Sequence, residues 1–517
     1  MIDQLCDRFI PSQSPQSGGS GKRRLVWKTA CRMVLLFALQ SVLQTVLYGC
    51  LAVAKEPDAS DAVTRRDESG DESTGLRVST FDLDVTPPVG SMMAYDVVSR
   101  QGELGLRCRG IVISGMDKPV VLCAIDWIGI SNAAHDQFRQ ALAEAAETDP
   151  SHVAVHALHQ HDAPRCDFTA ERLLHHAGAT NLGPFESSFQ RQVIKKLASQ
   201  VAAQLDRSRP ITHVGFGTAN VDRVASNRRL QGPDGLVYAT RYTTCTDPKL
   251  RAAPEGIIDP ELSCLVFYER DQPIVSLTYY ACHPQSYYRT GVPSPDFPGI
   301  ARIFRSQDRP EAFHVHFNGA GGNIGAGKYN DGDKSNRLTL ANRVADAMEK
   351  AFDSAERVPV SASSCGWNTI KVSLPPAAHL HEDELRELLT RPTPEVIETA
   401  PADLAWLLRC KAGHQVELGC LTIGDVRVLH LPGELFVEYQ LAAKAMRKDL
   451  SVAMAAYGDY GPGYIGTQVA YGQGGYETSA RASRVAPEVE SVLMDAIKLL
   501  LGPSHDRASD AAKGDSR

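Results

Sequence analysis

Apolar residues fall along the chain in short continuous runs bounded by polar turns, and these runs alternate with stretches of helical period. VSTFDLDVTPP (78–88) alternates like a strand and stops at two prolines. LRCRGIVIS (106–114) and KPVVLCAIDWIGI (118–130) read as two further strands, joined at Gly115-Met116-Asp117 by a hairpin signal. NAAHDQFRQALAEAAE (132–147) has the 3.6-residue period of a helix, with Asn132 as its N-cap, and HVAVHALHQHDAP (152–164) returns to a buried strand. The opening order is β, β, β, α, β.

Residues 165–185 read as irregular. FESSFQRQVIKKLASQVAAQL (185–205) is helical, HVGFGTANV (213–221) is a strand, and a loop rich in glycine, proline and charge runs to Asp259. Apolar strands resume at 262–269, 273–284 and 312–327, and a helix follows at 335–352. Between Val360 and Leu431 further strands surround a helical pair; then come a helix at 435–448, a last strand, a tyrosine-rich loop at 457–477 and a final helix at 487–501. No residue pattern repeats, and no linker interrupts 76–502. The expectation is one large α/β domain with a mixed β-sheet core flanked by helices, its site on loops at strand ends.

The N-terminus has a different character. Lys22, Arg23, Arg24, Lys28 and Arg32 precede an apolar run from Met33 to Ala54 that ends Ala52-Val53-Ala54. Residues 1–54 read as an export signal cleaved after Ala54, which makes the mature protein secreted or periplasmic. The alternatives are an uncleaved membrane anchor, since the run is long enough to span a bilayer, and lipid attachment at Cys50. Residues 55–75 read as a disordered charged linker and 503–517 as a disordered tail.

Composition narrows the function more than the fold. A chain of 517 residues with 43% hydrophobic content buries a large core, and a net charge of −7 with no basic stripe speaks against nucleic acid as a partner. Of the 12 cysteines, three lie in the leader, leaving nine. Cys108 with Cys123, or Cys410 with Cys420, are placed to bridge after export, but the favoured reading is that most are small buried hydrophobes. No C-x-x-C occurs, which excludes a cysteine zinc knot.

The candidate chemistry gathers at strand ends. His159 and His161, two apart, project to one side where their strand gives out, as a metal site or an acid/base site requires; polar residues at an ordinary strand terminus are the plain alternative. His283, Glu434 and Tyr464 end other apolar runs or open the loops that follow, and two imidazoles with a carboxylate are a usual catalytic zinc set. Glu434 also precedes a helix, where a carboxylate commonly does no more than cap. His314 with His316, and His379 with His381, have similar spacing but no accompanying ligands, and read as structural or as partners that orient the ligands. Asp126 and Asp296 read as supporting carboxylates near the strand ends.

The segments DVTPP (84–88), MMAY (92–95), the histidine strand, NRR (227–229), DPELSCLVF (259–267), ACHP (281–284), GAGGNIG (319–325), LPGE (431–434) and YIGTQVAYGQGGYE (464–477) occur in one order across the body of the chain. Together they resemble the neutral ceramidase family, zinc-dependent amidases that cut the N-acyl bond of ceramide, and in particular its shorter bacterial members without the C-terminal immunoglobulin-like domain. The resemblance implies Zn2+ as cofactor, held by His159, His283, Glu434 and Tyr464. It implies His161 and Tyr476 as donors to the substrate oxyanion and Arg228 as the arginine that holds the glycine loop or the substrate head. The implied substrate is a small-molecule or lipid amide, met with some association at a membrane surface.

Three departures stand out. The family's serine in G-D-V-S-P is Gly325 here and its aspartate is Asn323, so hydrolysis has to rely on metal-activated water, and ceramide itself is a doubtful substrate. The family's T-H-T-H-S-G-P is L-H-Q-H-D-A-P, which adds Asp162 as an acceptor for one imidazole. Lys328, Tyr329, Asn330 and Asp331 follow the glycines, as substrate contacts or as a surface turn. A non-catalytic zinc-site homologue that binds a lipid or glycan, and an esterase or lactonase on the same site, are the alternatives to an amidase.

Overall fold

The computed structural model describes residues 75–503, and over these the apolar runs become three sheets that share one four-stranded topology, two of them extended by a fifth edge strand. The first unit consists of β1 (Arg77–Asp84), β2 (Arg107–Ser114), β3 (Val120–Ile125), α1 (Asn132–Ala145) and β4 (Val153–Ala157), followed by α2 (Phe168–His176) and α3 (Ser188–Gln204). The second consists of β5 (His213–Asn220), β6 (Glu261–Glu269), β7 (Gln272–Tyr280), α4 (Asp296–Asp308) and β8 (Phe313–Asn318), with α5 (Asn336–Asp353) after it. In the third, β9 (Cys365–Val372) leads through α6 (Glu382–Leu389) and α7 (Pro394–Lys411) to β10 (Val416–Ile423), β11 (Val426–His430), α8 (Val437–Met446) and β12 (Ser451–Ala455); α9 (Val489–Leu501) closes the described chain.

In every unit the first three strands pair antiparallel and the last pairs parallel with the third, across one helix. A parallel pair needs such a crossover, and both of its strands then end at the same edge. The threefold recurrence of β, β, β, α, β lies in topology alone; no residue pattern repeats with it.

Pleat alternation explains why the strands read as continuous apolar runs. Val120, Leu122 and Ala124 of β3 join a central core with Leu265, Val275 and Leu277 of the second sheet and Leu421, Val428 and Ala453 of the third. The intervening Val121, Cys123 and Ile125 face Phe138 of α1 and Leu197 of α3. Cys264 and Val266 likewise meet Leu340 and Val344 of α5, and Val452 and Met454 share a core with Trp406 and Leu493. Each sheet is thus buried on both faces, one against the other two sheets and one against its helices, as expected of strands without polar alternation.

The structure departs from the sequence reading at several points. Residues 165–185 are not irregular: a short strand, Arg165–Asp167, pairs with Gly129–Ser131, and α2 follows. The Asp167 carboxylate accepts from the amides of Thr169 and Ala170, an N-cap whose burial pushes its pKa up to about 6. Asn132 is not the cap of α1. Ser131 holds that position, Asn132 is the first helical residue at φ 53°, and its amide donates to the Asp459 carboxylate (2.9 Å) from a distant loop. The nine cysteines of the described residues are free thiols, seven of them buried. Cys108 and Cys123 sit on adjacent strands with sulfurs 3.3 Å apart, in contact but not bridged, and Cys410 turns to the Leu374 carbonyl instead of Cys420. No helix among the described residues is long and apolar enough to cross a membrane. The leader, nearly all of the charged linker and nearly all of the tail lie outside the described residues.

Two histidines deep in the sheets are held neutral. Burial lowers His156 to about 3, and His316, whose Nδ1 meets the Thr278 hydroxyl at 2.9 Å, also to about 3. In the unfolded chain each takes up a proton near pH 6.5, so the folded state binds fewer protons below that value. Their contribution to stability is complete above pH 6.5 and is lost as pH falls toward 3, at up to ~1.4 kcal/mol per pH unit for each. The thermal midpoint is therefore expected to drop steadily between pH 7 and pH 4.5 in calorimetry, and a midpoint independent of pH over that range would contradict this account.

Candidate metal centre

The C-terminal ends of the three parallel pairs meet at one place. The Ala157 amide, at the end of β4, donates to the Tyr457 carbonyl (3.0 Å), and the Ala456 amide, just past β12, donates to the Asn318 carbonyl at the end of β8 (2.9 Å). The loops that leave these ends carry all the candidate residues except Arg228, which lies between β5 and β6.

His159 lies two residues past β4 at φ 70°, a left-handed conformation uncommon outside glycine, and its amide is held by the Trp127 carbonyl (2.8 Å). The pleat expected to point His159 and His161 the same way has therefore ended; the left-handed turn brings them together instead. Tyr457, at φ 62°, occupies the corresponding position two residues past β12, and its ring stacks on His159 with centroids 4.8 Å apart. His283 follows β7, and its amide donates to the Ile324 carbonyl of the glycine loop (3.1 Å). Glu434 follows β11 in a two-residue parallel strand, Glu434–Leu435, that pairs with Tyr464–Ile465 and so places Tyr464 beside it. Gly322 makes this junction possible, because a Cβ there would sit 2.4 Å from the Glu434 carbonyl oxygen.

The imidazoles converge. His283 Nε2 lies 3.2 Å from His159 Nε2 and 3.1 Å from His161 Nε2, and all three side chains are buried. His159 Nδ1 donates to the Ile128 carbonyl (2.6 Å), so in the neutral ring Nε2 presents a lone pair. Glu434 Oε2 lies 3.3 Å from that nitrogen and 3.7 Å from His283 Nδ1, buried and with no hydrogen-bond donor among the described residues, while Oε1 accepts from the Tyr460 hydroxyl. A lone pair facing a carboxylate oxygen is repulsive unless a cation or a proton lies between them. Three imidazole nitrogens around one point, with a carboxylate oxygen beside two of the rings, form a donor set that suits a divalent transition metal such as zinc. Burial holds His161 and His283 well below the usual imidazole range, in the neutral form that a metal takes.

Tyr464 and Arg228 form the next wall. The Tyr464 ring lies parallel to His283, and Arg228 Nη1 is 3.3 Å from its hydroxyl and 3.4 Å from His283 Nδ1. The Arg228 guanidinium sits among Tyr242, Tyr464 and Tyr476, 5.8, 5.8 and 6.0 Å from their ring centroids. Its Nε faces the fully buried Glu477 at 3.3 Å, and Arg229 shares that carboxylate at the same distance. Tyr476 is half-buried and meets Tyr464 edge to face at 5.8 Å. All seven candidate residues, His159, His161, Arg228, His283, Glu434, Tyr464 and Tyr476, thus belong to one constellation. His161 lies in the imidazole cluster itself, as near to His283 as His159 is.

Other expectations fare differently. Asp162 does not meet an imidazole. Its carboxylate accepts from the Arg289 amide (2.8 Å) and the Thr290 hydroxyl (2.7 Å), and His161 Nδ1 has no partner. The reason is local: the chain turns at His159, so Asp162 faces the 289–290 loop. Asp126 receives Arg302 in a two-point pair (2.9 and 2.7 Å) and Gln160 Nε2 (3.3 Å), which steadies the residue between the two histidines. Asp296 accepts from the Ser286 amide (3.1 Å) and from Arg337 (3.2 Å), fixing the loop after His283. Asn323 accepts from the Val437 amide and donates to Glu438, so it anchors α8. Lys328 caps carbonyls of Arg251 and Ala253, and Asn330 those of Thr243 and Ser286, which makes this stretch a brace for the 241–255 loop. His314 bonds the Arg309 carbonyl (3.0 Å), a structural role like that of His316.

Several residues at the centre carry no chemical motif in the sequence. Tyr457 and Tyr460 lie in a loop whose only signal is its tyrosine content. Tyr95 and Tyr288, from distant loops, place their rings 5.5 and 5.2 Å from His161. Glu477 ends YIGTQVAYGQGGYE, yet nothing local marks it as the counter-ion of two arginines.

No protein-family model matches the chain, and no curated protein does. Solved structures do: a ceramidase complexed with C2 superposes with a TM-score of 0.59, and the crystal structure of neutral ceramidase from Pseudomonas aeruginosa with 0.60. Each is 16% identical over 82% of this chain, covering 74% and 73% of the ceramidase chains respectively. The three-sheet chain described here therefore has a ceramidase-like fold.

Proposed function

We propose that the protein is an exported, zinc-dependent amidohydrolase that cleaves the N-acyl bond of a small or lipid amide. The observation that carries this reading is the convergence of three buried imidazoles, with the Glu434 carboxylate 3.3 Å from one of them, at the strand ends of a ceramidase-like fold. His159, His283, Glu434 and Tyr464 would hold the ion, which when bound supplies a Lewis acid beside the scissile carbonyl.

The protein's own groups account for the remaining work. The Tyr460 hydroxyl fixes one oxygen of Glu434 and leaves the other facing the imidazoles. His161 and Tyr476 would donate to the carbonyl oxygen as charge builds on it, and Arg228 keeps a fixed positive charge behind Tyr464. With glycine at 325, no serine hydroxyl competes for the acyl group. A Cβ there would lie 3.2 Å from both Arg228 Cδ and Thr243 Oγ1, so the missing side chain leaves Arg228 its room. The leader supports placing this activity outside the cytoplasm.

Restoring zinc to metal-stripped protein is expected to restore turnover of N-acyl amides in a panel of amides and esters; zinc binding without turnover of any member would refute the hydrolase assignment. Glu434→Ala is expected to lose bound metal and activity together, read by elemental analysis and rate, and full zinc content in that variant would remove Glu434 from the ligand set. His161→Ala separates the two roles open to that residue. As an oxyanion donor it should keep its metal and lose about 10²–10³-fold in kcat, whereas loss of the metal would make it a ligand.

A further inference from the structure

His161 differs from the other two imidazoles in how it is held. His159 is oriented by the bond from its Nδ1 to the Ile128 carbonyl (2.6 Å), and His283 Nδ1 faces Arg228 Nη1 at 3.4 Å. His161 Nδ1 is buried and has no hydrogen-bond partner among the described residues. Without a bond at its second nitrogen a histidine ring turns about a broad outer torsion, and packing alone decides its plane. Two aromatic rings supply that packing. Tyr95 stacks on His161 with centroids 5.5 Å apart and planes 22° apart, Tyr288 meets it edge to face at 5.2 Å, and the two tyrosines meet each other at 5.1 Å.

The rings arrive from separate parts of the chain, and both are tied to the residues that follow His161 itself. The Ala163 carbonyl accepts from the amide of Ala94 (3.0 Å), the neighbour of Tyr95. The Asp162 carboxylate accepts from the Arg289 amide (2.8 Å), the Thr290 amide (3.4 Å) and the Thr290 hydroxyl (2.7 Å), directly after Tyr288. Arg289 is left-handed at φ 61°, uncommon for a residue with a Cβ, so a fixed acceptor for its amide helps to hold the turn in that shape. Asp96 joins the two loops by accepting from the Gly291 amide (2.7 Å). The tripeptide His161-Asp162-Ala163 thus carries the imidazole and also sets the two rings that bracket it.

Resting on the amidohydrolase reading, we infer that Tyr95 and Tyr288 are positioning residues that aim His161 at the substrate carbonyl, and that Asp162 holds Tyr288 in place for this. Asp162, which meets no imidazole, then acts on His161 through the neighbouring ring. The tyrosines serve by their rings and not by their hydroxyls, and they act on the rate through His161 alone.

The test is a double-mutant cycle on the zinc-loaded full chain, with kcat and KM measured on N-dodecanoylglycine or N-dodecanoylethanolamine, whichever is turned over faster. Tyr95→Leu is expected to lower kcat by about 10–10²-fold with KM and zinc content little changed. Tyr95→Phe should retain most of the rate. Tyr288→Leu, at an exposed position, and Asp162→Ala should each lower kcat in the same direction, and either serves if Tyr95→Leu fails to fold. In a His161→Ala background the ring variants should cost little more. Equal losses in Tyr95→Phe and Tyr95→Leu, or an undiminished loss in the His161→Ala background, would overturn the inference. So would loss of zinc from His161→Ala, since a ligand is aimed by its ion. If neither amide is hydrolysed, the amidase reading falls and the bracket is read by NMR of histidine-labelled protein. The His161 ring signal, identified by its absence in His161→Ala, should then move in Tyr95→Leu and stay in place in Tyr95→Phe; a signal unmoved in Tyr95→Leu would sink the bracket as well.

Discussion

The parallel pairing of the last strand with the third in each sheet is the constraint on which the rest of the molecule depends. It obliges the chain to cross over through a helix, and it ends two strands side by side at one edge. Three such edges, brought together around a shared core, give six loops in one neighbourhood, and all the candidate residues but Arg228 are drawn from them: His159 and His161 after β4, His283 after β7, Glu434 after β11 and the tyrosines after β12, beside the glycine loop after β8. Open sheets place ligands outside their carboxyl ends for the same geometric reason. Here that rule acts three times on one point.

Much of this was legible because apolar runs buried on both faces are hard to mistake. VVLCAI, VAVHA and SVAMA each became a strand, and the order β, β, β, α, β of the first unit was evident from periodicity. The threefold recurrence was not, since topology can repeat with no residue in common and 40 residues separate β5 from β6 in the second unit while only 22 separate β1 from β2 in the first. α2 escaped notice because nine residues hold barely more than two helical turns, although Asp167 ahead of an amphipathic stretch with Glu171 in its first turn was a usable signal. Asn132 was misread as a cap because the group that satisfies the helix start, Asp459, comes from the far end of the chain.

The candidate site divides in the same way. Residues with distinctive chemistry were found, since histidine and glutamate at the ends of apolar runs are conspicuous. Those that act by position were not: Tyr460 matters because its hydroxyl reaches Glu434, and Glu477 because two arginines meet it, and neither contact has a local signature. The expected projection of His159 and His161 was reached by a different physical route. The strand had stopped, and a left-handed residue, which no periodicity reports, did what the pleat was expected to do.

The dispersal of the imidazoles and the carboxylate over three units has a thermodynamic corollary. One unit supplies two imidazoles, the second the third, and the last the carboxylate, so no unit alone possesses the donor set. Any ion that prefers the complete set binds only the fully docked chain and, by mass action, draws the folding equilibrium toward it. Occupancy of the centre and integrity of the three-sheet core are then one linked equilibrium: a lesion that loosens a sheet far from the histidines registers as weaker ion binding, and ion binding in turn acts as a fastening between segments more than a hundred residues apart.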